Sequence, residues 1–450
     1  MSGGVDSSVA ARLLANQDYD LSAIFMRNWD TRDESGTDKG CEWEKDWEDV
    51  QRVCNSLGIP CTMIDLSREY WNRIFQPALD VWESGSTPNP DVWCNRYTLS
   101  LIQGALFIPL HREIKFGALL EHLPVNPTTG VSWFATGHYA RKGWSSHGRP
   151  QLLSAKDQTK DQSYYLSSIS EQGLLRALFP IGEFTKVQVR ELARKYQLET
   201  AERPESMGLC FVGERGKFNS YLQPKPGPII DFTTQNVIGN HEGLWTYTIG
   251  ENAKVAGQPF KTFVSHKDPI KNAIYVVPGS HQALLEHRVI CKDWKWIWND
   301  SPPPGISEPA GFRAAVKVRH RQDNQTCIAK IAQDKSLEII TDEPMRGVSP
   351  GQVAALWDGD WCLGCGVIAS TSNSLLQSRQ IVHDDRMNPP RTATQCNQVQ
   401  KQKNLTSTSR GKRSPDHSGF HKRSPKLQSF QQISPDQSSK APVGEILLDG

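Results

Sequence analysis

The sequence predicts an α/β protein with a parallel N-terminal sheet, followed by two small β-rich or β-barrel domains and a disordered tail. Helix-like and strand-like segments alternate through the first ~200 residues, which is typical of a parallel sheet with helices on both faces. Beyond Lys217 the segments become short β-rich runs separated by turn residues. From Thr371 onward Ser, Gln, Lys, Arg and Pro dominate, and such a segment cannot bury enough apolar surface to fold. The predicted domains span residues 1–217, 218–285, 286–370 and 371–450.

The composition is that of a globular chain with room for about three domains. Its 450 residues are 37% hydrophobic and 22% charged, and no apolar run approaches the roughly 18 residues of a membrane-spanning helix. The net charge of +2 conceals an asymmetry, because the predicted tail carries +6 and the rest of the chain −4. Nucleic acid is therefore expected to bind only through local basic patches. Ten scattered cysteines favour a reducing compartment in which most of them are buried.

The individual elements follow from hydrophobic periodicity. Apolar residues three or four apart predict helices over 7–15 and 45–57, and short apolar runs predict strands over 21–26, 60–66 and 132–136. Prolines and a glycine within 224–228 mark the change to β structure. Further strands are predicted at 244–249, 260–264, 273–277, 312–318, 326–331, 337–340 and 353–357.

The chain begins with a glycine-rich segment, Ser2-Gly3-Gly4-Val5-Asp6-Ser7-Ser8, that runs directly into the first predicted helix. Two glycines permit a tight turn, and the N–H groups at the start of a helix attract an anion. The segment is not a Walker A loop, since no Gly-Lys-Ser/Thr follows. Ser and Asp of the segment can also cap the helix. The residues alone leave two interpretations open: a phosphate-binding loop, or a plain glycine-rich helix cap.

Two cysteines lie in predicted polar turns: Cys94 follows the rigid Thr87-Pro88-Asn89-Pro90 segment, and Cys210 lies in a turn bounded by glycines. Such thiols are candidates for redox or sulfur-transfer chemistry. The alternative is that each is a buried structural cysteine. Cys362 and Cys365 have metal-like spacing, but a zinc site needs a second ligand pair, so we expect a β-hairpin with buried thiols and no metal site.

The first segment resembles the loop of the N-type ATP pyrophosphatases, which split ATP into AMP and pyrophosphate. Further segments, in the same order through most of residues 1–368, resemble the tRNA-specific 2-thiouridylase family. The resemblance implies an adenine-nucleotide-hydrolase-like fold for the first domain. The segments include Phe25-Met26-Arg27-Asn28-Trp29, Asn89-Pro90-Asp91-Val92-Trp93-Cys94-Asn95, Ala135-Thr136-Gly137-His138-Tyr139, Lys160-Asp161-Gln162-Ser163-Tyr164, Val318-Arg319-His320-Arg321-Gln322 and Ser349-Pro350-Gly351-Gln352.

The resemblance also implies a reaction: ATP-dependent replacement of oxygen by sulfur at C2 of the wobble uridine of tRNA. ATP would adenylate the C2 oxygen, with Mg²⁺ neutralising the phosphates, so that AMP leaves readily. Cys210 would carry the sulfur as a persulfide, supplied by a cysteine desulfurase or a sulfur-relay protein. Cys94 would then attack Cys210 and form a Cys94–Cys210 disulfide, with Asp91 as a general acid or base.

The other site residues are carried over from the family in the same way. Those expected to bind ATP are Ser2, Gly3, Gly4, Val5, Asp6, Ser7, Ser8, Met26 and Gly137. Those expected to contact tRNA, in the anticodon loop, are Asn89, Pro90, Asp91, His138, Lys160, Asp161, Gln162, Arg319, His320 and Gln352. The resemblance further implies a mitochondrial location, and we expect no membrane partner.

The chain departs from the family in two places. In the family, a hydrophobic strand normally precedes the glycine-rich segment of residues 2–8, which we call the phosphate loop. This chain starts at that loop, so we expect a central position of the sheet to be empty. Residues 97–111 are inserted behind Cys94 and resemble a translated intron that would displace the catalytic turn. Two alternative functions follow: another AMP-forming ligase, which needs no paired thiols, or an inactive tRNA-binding relic.

Overall fold

The computed structural model describes residues 1–29, 42–95, 115, 119, 133–204, 221–371 and 445–449. The described helices of the N-terminal domain are α1 (Val5–Ala15), α2 (Glu42–Leu57), α3 (Ser67–Tyr70), α4 (Gln76–Glu83), α5 (Pro90–Cys94), α6 (Ser163–Leu166), α7 (Glu171–Arg176) and α8 (Lys186–Lys195); a π-helical turn, Trp71–Phe75, joins α3 to α4. Its described strands are β1 (Asp20–Arg27), β2 (Cys61–Asp65), β3 (Trp133–Thr136), β4 (Arg141–Trp144), β5 (Pro150–Leu153) and β6 (Ala177–Leu178). The predicted helices and strands of this domain are thus confirmed, with small differences at their ends.

The sheet of the N-terminal domain is parallel, as predicted, and has five described strands. Its order is β2-β1-β17-β3-β6, where β17 is the C-terminal segment Glu445–Asp449. The prediction of an empty central position is therefore wrong, because β17 pairs with β1 on one side and with β3 on the other. β17 also departs from the prediction of a tail disordered throughout 371–450, since Ile446-Leu447-Leu448 is an apolar run of the kind that central parallel strands contain. Residues 372–444 and the insert 97–111 lie outside the described residues.

The central domain is a small four-stranded sheet. It contains β7 (Gly227–Asp231), β8 (Val237–His241), β9 (Thr262–Asp268) and β10 (Ala273–Pro278) in the order β8-β7-β10-β9. The predicted strand at 244–249 is wrong, because Leu244–Thr246 forms a 3₁₀ turn. The Thr246 hydroxyl donates to the Gly243 carbonyl at 2.6 Å, and this local bond competes with strand pairing.

The third domain is a closed six-stranded barrel. Its strands are β11 (Leu285–Trp296), β12 (Phe312–Lys317), β13 (Gln325–Ile331), β14 (Leu337–Arg346), β15 (Val353–Asp358) and β16 (Trp361–Thr371), and a 3₁₀ turn, Gln282–Leu284, precedes β11. The barrel closes because β11 pairs with both β14 and β16. Cys362 and Cys365 are buried in β16, which forms a hairpin with β15, so the predicted hairpin with buried thiols is confirmed.

The barrel and the N-terminal domain belong to one compact unit, in which they share a β-sheet and a hydrophobic cluster. The β4–β5 hairpin extends the barrel sheet, since Leu153 of β5 pairs with Trp361 of β16. One hydrophobic cluster contains Phe134 of the parallel sheet, Tyr164 of α6 and Trp357 of the barrel. Among the helices that the structure describes, none has the length and apolar character needed to cross a membrane.

Candidate active site

The glycine-rich segment places the start of α1 where an anion can approach it. The N-cap residue is Gly4 and no side chain caps the helix, so the expected capping by Ser or Asp is wrong. The Ser7 and Ser8 hydroxyls instead donate to the Gly4 carbonyl, at 3.1 and 2.8 Å. The N–H groups of the first turn therefore remain available to a phosphate, as the positive end of a helix favours.

Backbone packs closely against this loop on two sides. Gly3 has φ +74°, and a Cβ atom there would lie 2.6 Å from the Asp46 carbonyl oxygen. A Cβ atom on Gly137 would lie 2.8 Å from the Ser7 backbone nitrogen. Only glycine fits at either position, and the structure thus brings Gly137 to the loop that the resemblance associates with ATP.

Two cations that the sequence did not predict lie beside the loop. The Lys186 ammonium group donates to both Asp6 carboxylate oxygens, at 2.8 and 2.7 Å. The Arg203 guanidinium group donates to the Gly3 carbonyl at 2.7 Å and pairs with Asp46 and Asp49 of α2. Both cations are paired with carboxylates, so they bring donor groups next to the loop without adding net positive charge there.

Met26 and His138 lie at the carboxyl end of the parallel sheet, where ligands of such folds bind. Met26 is half-buried near the end of β1 and packs against the main hydrophobic cluster. His138 follows β3, is 8% exposed, and its Nδ1 lies 2.8 Å from the Thr136 hydroxyl. Burial, with a smaller contribution from Lys115, holds the His138 pKa well below 6.5, so the ring is neutral at pH 7.

The Asn89-Pro90-Asp91 segment starts the short helix α5, for reasons visible in the sequence. The Asn89 side-chain oxygen accepts from the Val92 N–H at 3.3 Å, Pro90 occupies the first turn, and Asp91 lies at the positive end. Cys94 is the last residue of α5 and is 3% exposed. Cys210 lies outside the described residues, so its distance from Cys94 stays a prediction.

All three domains meet at the turn before α5. The Gln352 side chain of the barrel donates to the Thr87 and Pro88 carbonyls, at 3.2 and 2.9 Å, and accepts from Asn89 at 3.2 Å. The Thr87 N–H donates to the Pro350 carbonyl at 3.0 Å. The buried ammonium group of Lys267, from the central domain, donates to the Leu244 carbonyl at 3.1 Å and lies 3.4 Å from the Thr87 hydroxyl. The structure thus brings the predicted residues Asn89 and Gln352 together.

A series of contacts joins this turn to the phosphate loop. The Tyr139 hydroxyl donates to Asp6 at 2.8 Å, and the Tyr139 N–H donates to the Gln162 side chain at 2.8 Å. Gln162 directly precedes α6, where the Tyr164 hydroxyl accepts from the Asn89 amide at 3.4 Å. The two predicted binding regions are therefore parts of one connected site.

The predicted tRNA segments 160–162 and 319–320 are also neighbours, although not all their side chains face outward. Asp161 is 3% exposed, and its carboxylate accepts from the Ala155 N–H and the Ser163 hydroxyl, at 2.9 and 2.8 Å. Arg319 donates to the Ile249 and Gly347 carbonyls and so ties the central domain to the barrel.

Two basic side chains of these segments are at least partly exposed to solvent. Lys160 is half-buried and Arg321 is exposed. The His320 ring packs against the Tyr165 ring, tilted by 30°, with centroids 4.4 Å apart. Burial and neighbouring cations lower the His320 pKa below 6.5, so lysine and arginine supply the positive charge there at pH 7.

Comparison with known proteins matches family models to each of the three domains. Residues 1–214 match the tRNA methyl transferase HUP domain, 217–278 the tRNA methyl transferase PRC-barrel domain, and 286–368 the aminomethyltransferase beta-barrel domain. Curated proteins named tRNA-specific 2-thiouridylase MnmA, from Bacillus velezensis and Bacillus subtilis, are 39% identical over 376 residues, which cover 82% of this chain and 93% of theirs. The chain belongs to the tRNA-specific 2-thiouridylase family. The same name is carried by a Bacillus thuringiensis relative, 38% identical over 374 residues.

Membership of the thiouridylase family confirms the predicted fold class. The parallel nucleotide-binding sheet, the small β domain and the barrel each match one of the three family models. The parallel sheet with α1 at its phosphate loop supports nucleotide binding in particular. The roles of individual residues at the site stay predictions.

Proposed function

We propose that this member of the thiouridylase family catalyses the ATP-dependent 2-thiolation of the wobble uridine of tRNA. The connected site that joins the phosphate loop to the Asn89 turn carries the proposal, because it relates ATP activation to the turn beside Cys94. The domain models are named for methyl transfer, but the full-length relatives are named thiouridylases. The phosphate loop favours sulfur transfer, since displacing a carbonyl oxygen requires its prior activation.

The first step needs a bound triphosphate and a leaving pyrophosphate. The open first turn of α1, Lys186 and Arg203 would hold the phosphates and neutralise their charge. Asp6 is the carboxylate of the loop and suits Mg²⁺, an ion that uses few protein ligands and several phosphate oxygens. Bound there, Mg²⁺ would supply further neutralisation of the leaving pyrophosphate.

In the first step the uridine C2 oxygen attacks the α-phosphorus of ATP and releases pyrophosphate. The second step exchanges oxygen for sulfur. The terminal sulfur of a Cys210 persulfide attacks C2, and AMP leaves with the former C2 oxygen. The Cys94 thiolate then attacks the Cys210 sulfur, which forms the Cys94–Cys210 disulfide and leaves the transferred sulfur on C2. A thiol reductant restores the two cysteines, and a cysteine desulfurase or sulfur-relay protein supplies the next persulfide.

The position of Cys94 suits this chemistry. Its thiol is 3% exposed and follows a turn that Gln352 and Asn89 hold in place. An enclosed thiol protects the adenylated uridine from hydrolysis, because water is excluded from the reacting carbon. Asp91, in the first turn of the same helix, would transfer protons to and from the base.

The tRNA would lie across the barrel and the N-terminal domain. Lys160 and Arg321 would supply local positive charge on a body that carries no net positive charge. The anticodon loop suits such a site, since its bases can be splayed out into a pocket.

The proposed mitochondrial location rests on family resemblance, and fractionation of cells that express a tagged chain tests it.

The deciding experiment is single-turnover thiolation of tRNA by persulfide-loaded protein, with ATP–pyrophosphate exchange measured in parallel. Cys94→Ser and Cys210→Ser are each expected to abolish thiolation and to leave exchange intact. Cys61→Ser, at a half-buried cysteine in β2, is the matched control and should retain both activities. Cys94→Ser should also accumulate a mixed disulfide between tRNA and Cys210, detectable by mass spectrometry.

Two results would contradict the proposal. Retained turnover in both cysteine variants indicates another AMP-forming ligase. Absence of both exchange and thiolation, in the full chain and in a variant lacking 97–111, indicates a tRNA-binding relic. Mass spectrometry of wobble nucleosides from cells lacking the gene then shows whether 2-thiouridine is the product in vivo.

A further inference from the structure

We propose that the groove between β1 and β3 is a strand-binding site, that its occupant is the C-terminal strand β17 of the same chain, and that its occupancy is required for nucleotide binding. Insertion of β17 is independent of thiolation, because it completes the sheet beneath the phosphate loop.

The backbone register shows how β17 fills the groove. Asp20–Ala23 of β1 pair in parallel with Glu445–Leu448, and Trp133–Thr136 of β3 pair in parallel with Ile446–Asp449. Ala23 and Phe134, on the two flanking strands, are fully buried. Without β17, both inner edges would leave N–H and C=O groups unpaired in the interior, at a cost of about 1–3 kcal/mol for each group.

Met1 and β17 both hydrogen-bond to the same edge region of β1. The Met1 amino group donates to the Ile24 carbonyl, one residue beyond the point where pairing of β1 with β17 stops at Ala23. Met1 is buried, and the Cys54 thiol donates to its sulfur at 3.6 Å. Ser2 and the rest of the phosphate loop follow directly. Met1 therefore pairs with β1 just where the pairing of β17 ends, so loss of β17 would leave the start of the loop beside an unfilled strand position.

The chain's own strand is the favoured occupant. Its sequence has three branched apolar residues between two acidic ones, which suits a short central parallel strand. Residues 372–444 can span roughly 240 Å when extended, so the connection allows the strand to reach the groove. A tethered segment acts at an effective concentration of up to about millimolar, which exceeds that of a second copy in dilute solution.

Leu447→Pro tests the proposal, because proline lacks the N–H group and is not tolerated in the middle of a sheet. Leu447→Val, which keeps a strand-forming apolar residue, and Gln437→Pro, outside the strand, are the matched controls. We expect Leu447→Pro to weaken ATP binding by about tenfold or more, since apparent affinity falls with the fraction of binding-competent molecules. Equal ATP affinity and equal Tm in all three variants would overturn the proposal.

Hydrogen exchange on the unmodified chain gives a second, independent readout without ATP. Slow exchange of the amides of 446–448 supports the inserted strand, and exchange at the rate of an unstructured peptide overturns it. For a chain ending at residue 440, a synthetic peptide of residues 441–450 should restore Tm and ATP binding. Light scattering separates the sources of the strand: a monomer with protected amides supports insertion from the same chain, and a dimer that Leu447→Pro dissociates overturns it.

Discussion

At the residue scale, the position of the Lys186 cation at a helix N-terminus is explained by a tertiary contact. Lys186 is the first residue of α8, where a cation faces the positive end of the helix. Within the capping box formed by Thr185 and Gln188, a lysine at this place is locally unfavourable. Its ammonium group is held instead by the Asp6 carboxylate of the phosphate loop. A local conflict of this kind indicates a functional position.

Lys186→Met should therefore weaken ATP binding. Loss of one charge-assisted hydrogen bond of about 1.5–3 kcal/mol corresponds to a roughly 10- to 150-fold rise in the dissociation constant. Lys195→Met, at the exposed end of the same helix, is the control and should bind ATP normally. Isothermal titration calorimetry measures both, and an unchanged affinity in Lys186→Met would show that the lysine does not contact the phosphates.

His138 should make the folded state sensitive to acid. Its folded pKa lies well below 6.5, so below about pH 6.5 the unfolded chain binds a proton at this residue that the folded chain does not. The free energy of unfolding should consequently fall as the pH is lowered from 6.5, by at most about 1.4 kcal/mol per pH unit from this group. Denaturant titrations at several pH values should show a shallower dependence in His138→Asn. The exposed His147→Asn should keep the full dependence, and equal slopes in all three proteins would contradict the assignment.

At the element scale, a barrel loop positions the turn that precedes Cys94. Gly351 has φ +90°, and a Cβ atom there would lie 2.8 Å from the Thr87 carbonyl oxygen. The adjacent Gln352 holds the Thr87 and Pro88 carbonyls. The loop thus acts as a template for the turn, and close approach of the two backbones requires glycine.

Gly351→Ala should reduce thiolation by more than the accompanying loss of stability would explain. Gly359→Ala is a matched control, because Gly359 also has a positive φ, +57°, but a Cβ atom there meets nothing within 4 Å. We expect the control to cost about 1–2 kcal/mol in the free energy of unfolding and to leave kcat unchanged. Gly351→Ala should lower kcat for thiolation while ATP affinity stays normal. Equal kcat values in the two variants would refute the template role.

At the scale of the whole molecule, the catalytic domain and the barrel are stabilised by one core. Tyr164 is buried between them, and its hydroxyl donates to the Val353 carbonyl of the barrel at 2.8 Å. Phe134 and Trp357 belong to the same hydrophobic cluster. Elements that share a core in this way are expected to unfold together.

Calorimetry should accordingly show one transition for the N-terminal domain and the barrel. Tyr164→Phe leaves the Val353 carbonyl without this donor, at a cost of about 1–3 kcal/mol, and should lower the Tm of the whole transition by a few degrees. Tyr165→Phe, at the half-buried neighbour, serves as the control. A second, separate transition in Tyr164→Phe would show that the barrel is an independent folding unit.

The sequence by itself determined the elements and motifs that depend on neighbouring residues. The periodicity of α1 and α2, the Asn89-Pro90 start of α5 and the phosphate loop are local patterns, because caps, turns and amphipathic faces form within a few residues. The local pattern predicted wrongly at 244–249, where the Thr246 hydroxyl bond to Gly243 favours a 3₁₀ turn.

Tertiary structure decided which distant segments come together. Asp6 meets Lys186 across 180 residues, Asn89 meets Gln352 across 263, and the strand at 445–449 completes a sheet whose other strands precede residue 179. Such pairings depend on complementary charge and on backbone edges that need partners, and these become apparent only when the chain has folded.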